Sequence, residues 1–227
     1  MKKEIHIVKG LPSEDYKGFR ERIFILADTL LDRGDYHAMR VNLTLKPPPR
    51  LSVIPFRRGK VAAISLTGEG PSAEQVANTT EGYTGGYAVE EAVPVAYEKN
   101  WEDRSPTPGI CMLTLFRRKP GIDHPTFLHR WHNGHTPLSL KLHPLWNYNR
   151  NVVLAPGTAG AESHEGIVEE QFRREPDLLN PLRFFGPPWR APLHMLQVYR
   201  DTRSFIDMRT IEIYLTTEFH FKSNTHA

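Results

Sequence analysis

Phe127-Leu128-His129-Arg130-Trp131-His132-Asn133-Gly134-His135-Thr136-Pro137 lies shortly after a strongly apolar segment and packs three histidines and a tryptophan into two helical turns. Trp131 and His135 are four residues apart, so on a helix they share one face. Solvent does not select for an aromatic ring and an imidazole on one face. Either the core selects them or a pocket does. Asp123 suits an N-cap and Pro125 an early helical position, so the helix is expected to run to about Leu142.

Strand patterns flank this helix. Ile110 to Arg117 precedes it, and Tyr148 to Leu154 and Glu165 to Phe172 follow, separated by the Gly/Ala/Pro/Ser loop Ala155 to Ser163. Leu178 to Asp207 reads as a second helical region. Gly186-Pro187-Pro188-Trp189 and Pro192 break it, so two pieces are expected. Arg209 to Phe219 closes the half as a strand. The same order occurs earlier. Glu4 to Lys9 alternates as a strand, and Ser13 is a candidate N-cap. Tyr16, Phe19, Ile23, Leu26 and Leu30 then mark one face of a long helix that Gly34 stops. His37 to Leu45 and Lys60 to Leu66 are expected strands around the loop Lys46-Pro47-Pro48-Pro49-Arg50. Ser72 to Tyr83 is a weaker helix, and Tyr87 to Tyr97 a closing strand. Asn100 to Pro108 reads as a linker.

Each half therefore reads strand, helix, strand, strand, helix, strand. The expected fold class is α+β, with two ferredoxin-like (βαββαβ) repeats, residues 1–103 and 108–227. Such a sheet has one face that its helices leave uncovered, so the two sheets are expected to pack together as an internal pseudo-dimer.

The bulk numbers narrow the function. A chain of 227 residues with 39% hydrophobic and 24% charged content is ordinary for a globular protein. The net charge of +3 is scattered in short pairs such as Arg57-Arg58, with no basic stripe interleaved with aromatics, so no nucleic-acid partner is expected. The lone Cys111 sits in an apolar run and reads as a packed thiol. Neither a secretory signal nor an apolar run long enough to span a bilayer is evident. The expectation is a cytoplasmic protein with no membrane partner. No Gly-rich phosphate loop follows a strand.

Three pieces of the second half occur in a telling order: Phe127-x-x-x-Trp131-x-x-x-His135-x-Pro137, then Glu165-Gly166-Ile167-Val168-Glu169, then Asp201-Thr202-Arg203-Ser204-Phe205-Ile206-Asp207. Together they resemble the EthD family of the dimeric α+β barrel superfamily, over roughly residues 108–221. The first half lacks the Trp/His pair. If Ser13 is set against His124, Phe24 falls near the place of His135, as in a degenerate copy kept as structural partner. The resemblance implies an internal α+β barrel and, in some relatives, cofactor-independent lyase, cyclase or oxygenase chemistry on aromatic polyketides. Other relatives are accessory proteins without clear chemistry, and other branches bind haem.

Two readings of the helix stand. In one, His135 is the catalytic acid/base, suited by an imidazole's near-neutral titration. Trp131, Phe127, Tyr148 and Glu169 then bind a small apolar carbonyl or aromatic compound, and the chemistry is dehydration, cyclisation or isomerisation without a cofactor. In the other, His135 bonds backbone and locks the helix to the sheet, and the protein is a non-catalytic binding or accessory module. Haem binding through a histidine is a third. No metal is expected: His129, His132 and His135 drift around the helix and converge poorly. Period-two alternation puts Glu165, Glu169 and Gln171 on one face of their strand and Val168 and Glu170 on the other. It leaves open which face looks inward. Phe184, Phe185, Trp189 and Met195 could lid a pocket, and His124 and His143 bracket the helix. Exposed edge strands would allow a homodimer.

Overall fold

The computed structural model describes residues 2–223. Eight antiparallel strands close into one barrel. The first half supplies β1 (Lys3–Lys9), β2 (Asp35–Leu43), β3 (Val61–Glu69) and β4 (Tyr83–Val95). The second supplies β5 (Ile110–Phe116), β6 (Leu145–Pro156), β7 (Gly166–Phe172) and β8 (Glu212–Lys222). Around the barrel they run β4–β1–β3–β2, then β8–β5–β7–β6, and β6 pairs with β4 to close the ring. Among the described residues closure leaves no unpaired sheet edge, so the exposed edge strands expected to allow a homodimer are not present there.

Alternation along each strand separates two environments. Ile5, Ile7, Val61, Ala63, Tyr87, Leu113, Leu115 and Ile167 fill the barrel. Further along its interior the filling turns polar. Lys3 Nζ donates to Glu91 at 2.6 Å and to Asn151 at 2.7 Å, and Arg40 donates to Glu91 at 2.8 Å. Burial alone would raise the Glu91 carboxyl, but Arg40 and Lys3 hold it at about 2. Charges so placed must be paired, because removing one partner strands the other.

The outward faces meet the helices. α1 (Tyr16–Arg33) lays Phe19, Ile23, Ala27 and Leu30 on Met39, Val41, Ala62 and Ile64. Phe24 packs edge-on against Phe219 and Phe221, with centroids 5.1 and 4.9 Å away. Its N-cap is Asp15, whose carboxylate accepts from the Gly18 amide at 2.7 Å, and not Ser13 as the sequence suggested. α2 is only Ala73–Ala77, shorter than the expected Ser72 to Tyr83. A turn through Gly82, at φ +76°, leads directly into β4.

In the second half, α3 (His124–His129), a π-helical turn (Arg130–His135) and α4 (Thr136–Leu142) form one continuous rod. Asp123 caps it as expected, accepting from the Thr126 amide at 2.8 Å. The region from Leu178 to Asp207 is three helices and not two: α5 (Glu175–Leu179), α6 (Pro181–Phe184) and α7 (Ala191–Phe205). Asn180 is the extra break. Its extended backbone ends α5, and its side chain accepts from the Leu182 amide at 2.9 Å to start α6. Residues 100–108 run beside β8, where Thr107 donates to the Glu218 carbonyl at 2.8 Å. Among the described residues no helix is long and apolar enough to cross a membrane.

Candidate functional site

A cavity of about 280 Å³ opens between the outer face of the second-half sheet and its helices. Its floor is Met112, Thr114 and Phe116 of β5, Tyr148 of β6, Val168 and Glu170 of β7 and Ile213 of β8. Trp131, His135, Ser139 and His143 form one wall, and Val198, Tyr199, Thr202 and Phe205 of α7 form the other. Val53, Ile54 and Pro55, from the first half's β2–β3 loop, border it too. Arg57 ties that loop down by donating its amide to the Ile213 carbonyl at 2.7 Å.

The π turn sets the side-chain register here. The Thr136 amide reaches back five residues to the Trp131 carbonyl, and the Thr136 hydroxyl donates to the same oxygen at 3.1 Å. Single π turns inside helices recur at functional sites because they re-aim neighbouring side chains. Trp131 is buried, edge-on to Phe116 at 5.0 Å and stacked with Phe205 at 6.4 Å. Phe127 lies behind it, fully buried with centroids 5.5 Å from Trp131 and 6.3 Å from Phe116. It supports the wall and is not part of it.

His135 is held from two sides. Its Nδ1 lies 2.6 Å from Asp201 Oδ2 on α7, and its Nε2 lies 3.1 Å from Ser139 Oγ one turn along α4. A carboxylate accepts, so Nδ1 carries a proton, and in the neutral ring Nε2 presents its lone pair. The imidazole is therefore oriented by a carboxylate from another helix, and not locked onto backbone.

Glu170 is the other unusual group. It is 6% exposed, lines the cavity among apolar side chains, and burial pushes its carboxyl up to about 8. Near neutral pH it is a neutral acid that can donate a hydrogen bond. Glu169 lies on the opposite face of β7, inside the barrel. It accepts there from Asn42 at 2.6 Å and Asn151 at 3.3 Å, so it is not placed to touch a ligand in this cavity. The alternation in the sequence was right about which residues share a face. The barrel decides which face turns to the helices: Val168 and Glu170 do.

His143 donates Nδ1 to the Phe184 carbonyl at 2.9 Å and stacks on the Phe184 ring at 3.9 Å. Burial outweighs that bond and holds its pKa down at about 4. His132 is lowered to about 4 as well, by burial and by Arg150 and His124. His129 and His124 face solvent. Among the described residues no group of histidines, cysteines and carboxylates is arranged to hold a metal ion. Of the four residues that could lid a pocket, Phe184, Phe185 and Met195 border the cavity, while Trp189 is 79% exposed.

Sequence reasoning brought out Trp131, His135 and Tyr148, which the fold brings to one cavity. It missed Ser139, Asp201 and Glu170 as participants. Ser139 was within reach, because it stands to His135 as His135 stands to Trp131, four residues on. Asp201 is 66 residues from its partner and carries no local signal of the pairing.

No protein-family model and no curated protein sequence matches the chain. Solved structures do. An anthrone oxidase-like protein aligns over 100% of this chain and 95% of its own, with a TM-score of 0.59 and 12% identity. A "putative monooxygenase" from Lactobacillus acidophilus NCFM aligns over 99% of this chain and 97% of its own, with a TM-score of 0.48 and 10% identity. Another from Fusobacterium nucleatum covers 97% and 92%, with a TM-score of 0.49 and 6% identity. The chain thus shares the fold of the anthrone oxidase-like protein, an α+β barrel of eight antiparallel strands closed within a single chain.

Proposed function

We propose that this is an EthD-like protein of two fused ferredoxin-like repeats. Its second half binds a small, uncharged aromatic or carbonyl compound and moves a proton on it without a cofactor. The repeat reading is supported by the matching strand orders β4–β1–β3–β2 and β8–β5–β7–β6. The observation that carries the function is His135 on the wall of a largely apolar cavity, held in place by Asp201 of α7.

The chemistry follows from the groups present. His135 Nε2 takes a proton from an acidic C–H or O–H of the bound compound, which competes with Ser139 for that lone pair. The imidazolium so formed is balanced by Asp201. Charge then develops on the compound's carbonyl oxygen, where a neutral carboxyl such as Glu170 donates a hydrogen bond and an ionised one would repel. Returning the proton to a different atom is an isomerisation. Delivering it to a departing hydroxyl is a dehydration. Trp131, Phe205 and Tyr148 give the flat apolar walls that an aromatic ligand needs.

The relative of similar fold is named for anthrone, a tricyclic aryl ketone with an acidic methylene, which makes anthrone a fitting probe. The test is deuterium exchange at that methylene in heavy water. The protein is expected to accelerate exchange, and His135→Ala to lose that acceleration by about 100-fold, the usual worth of a positioned base. Full exchange by His135→Ala removes the mechanism. Binding without exchange in either protein leaves a carrier or accessory role.

A further inference from the structure

We propose that Ser139 is an activated nucleophile, and that the cavity supports acyl transfer from small uncharged esters through an acyl-Ser139 intermediate. The proposal rests on the reading of this cavity as a small-molecule site and adds a second reaction to it.

The hydrogen-bond directions carry the inference. Asp201 fixes the His135 proton on Nδ1, at 2.6 Å. In the neutral imidazole Nε2 then accepts, and the group 3.1 Å away, Ser139 Oγ, is the donor placed to give it a hydrogen. In that state the hydroxyl proton points along the path on which a base would remove it, and the oxygen's lone pairs are left free. Nucleophile, base and orienting carboxylate within hydrogen-bond reach are the arrangement that activates a serine, and it recurs on unrelated folds in different chain orders. A serine bonded to a histidine one turn away on its own helix is by itself unremarkable packing. Two further facts separate Ser139 from that case. The orienting carboxylate comes from a different helix, 66 residues on, and Ser139 itself stands on the cavity wall.

The step balances. Ser139 Oγ bonds to the ester carbonyl carbon as its proton passes to His135 Nε2. The carbonyl oxygen takes the negative charge, with the Glu170 and Tyr148 hydroxyls among the cavity's donors. Collapse breaks the ester C–O bond, and the alcohol leaves with the proton from His135. Water then enters, and its oxygen bonds to the acyl carbon as its proton passes to His135; the acyl C–Oγ bond breaks, the acid leaves, and His135 returns the proton to Ser139. The walls carry no Lys or Arg, so an anionic acyl carrier has no counter-charge here and an uncharged aryl or branched ester fits better.

Diisopropyl fluorophosphate tests the nucleophile directly. Ser139 Oγ bonds to phosphorus, fluoride leaves and the hydroxyl proton goes to His135. One diisopropylphosphoryl group per chain is expected, placed on Ser139 by peptide mapping, with labelling slowed about 100-fold in His135→Ala and blocked by anthrone. No adduct under conditions that fully label a serine protease overturns the proposal. So does an adduct on another residue, or equal labelling of His135→Ala. Wild-type protein that exchanges anthrone's hydrogens but takes no phosphoryl group overturns the nucleophile alone and leaves the proton-transfer reading standing.

Discussion

The two halves of the barrel use the space between sheet and helix differently. In the first half that space is solid: Phe19, Ile23, Leu26 and Leu30 of α1 meet Met39, Val41 and Ile64, and Phe24 wedges against Phe219 and Phe221. In the second half the rod over the sheet contains a π turn, and a cavity lies beneath it, bordered by Trp131, His135, Ser139, Tyr148 and Glu170. Where the first half places phenylalanine, the second places titratable groups on the lining of a cavity. Packing supplies stability, and giving some of it up in one half is what makes room for a cavity. The first half also contributes directly, since its β2–β3 loop borders the other half's cavity.

Several substitutions would break or sharpen this contrast, and the largest effect concerns pH. Glu170 has a folded pKa of about 8, above its ordinary 4.5. The folded state therefore holds its proton more tightly. The associated stability is fully present below pH 4.5 and is lost as pH rises through 8, by on the order of 5 kcal/mol in all. Glu170→Gln, which cannot ionise, should match the wild type in denaturant titrations at acid pH and outlast it at pH 9. Equal curves at both pH values would mean that Glu170 is not buried without a partner.

Next comes packing. Phe19→Ala should cost about 3–5 kcal/mol in the same titration, because the first half leaves no slack around it. Val198→Ala on the cavity wall should cost the least of all, about 1 kcal/mol, since it only enlarges a space already there. Comparable losses would erase the difference between the halves.

His143 gives the acid-side counterpart. Its folded pKa of about 4 lies below the ordinary 6.5, so its contribution is present above pH 6.5 and is lost as pH falls through 4, by on the order of 3 kcal/mol. His143→Asn keeps a donor for the Phe184 carbonyl and should shift acid unfolding to lower pH. An unchanged acid transition would place the burden on His132 instead.

The strands and α1 were legible in the sequence because strand alternation and the apolar stripe of α1 are local signals. So was the helix holding Trp131 and His135, down to its Asp123 cap. What stayed hidden depends on distant contacts. Ser13 resembles a cap as much as Asp15 does, and only the first turn's geometry chooses. Glu169 and Glu170 are adjacent carboxylates on one strand, and closure of the barrel decides which one meets Lys3 and Asn42 and which one meets the cavity. The His135–Asp201 pair joins two helices whose approach no local pattern encodes. The π turn, too, is a property of a backbone that accommodates Thr136 over Trp131, and the residues alone read as ordinary helix.

The central claim is that one half of the barrel binds a small molecule at His135 and the other half does not. The most direct measurement is an amide and imidazole NMR titration of the protein with anthrone. Shifts should concentrate on Trp131, His135, Ser139 and Glu170 while the amides of α1 stay still. Shifts centred on α1 or the polar end of the barrel, or none at saturation, would contradict it.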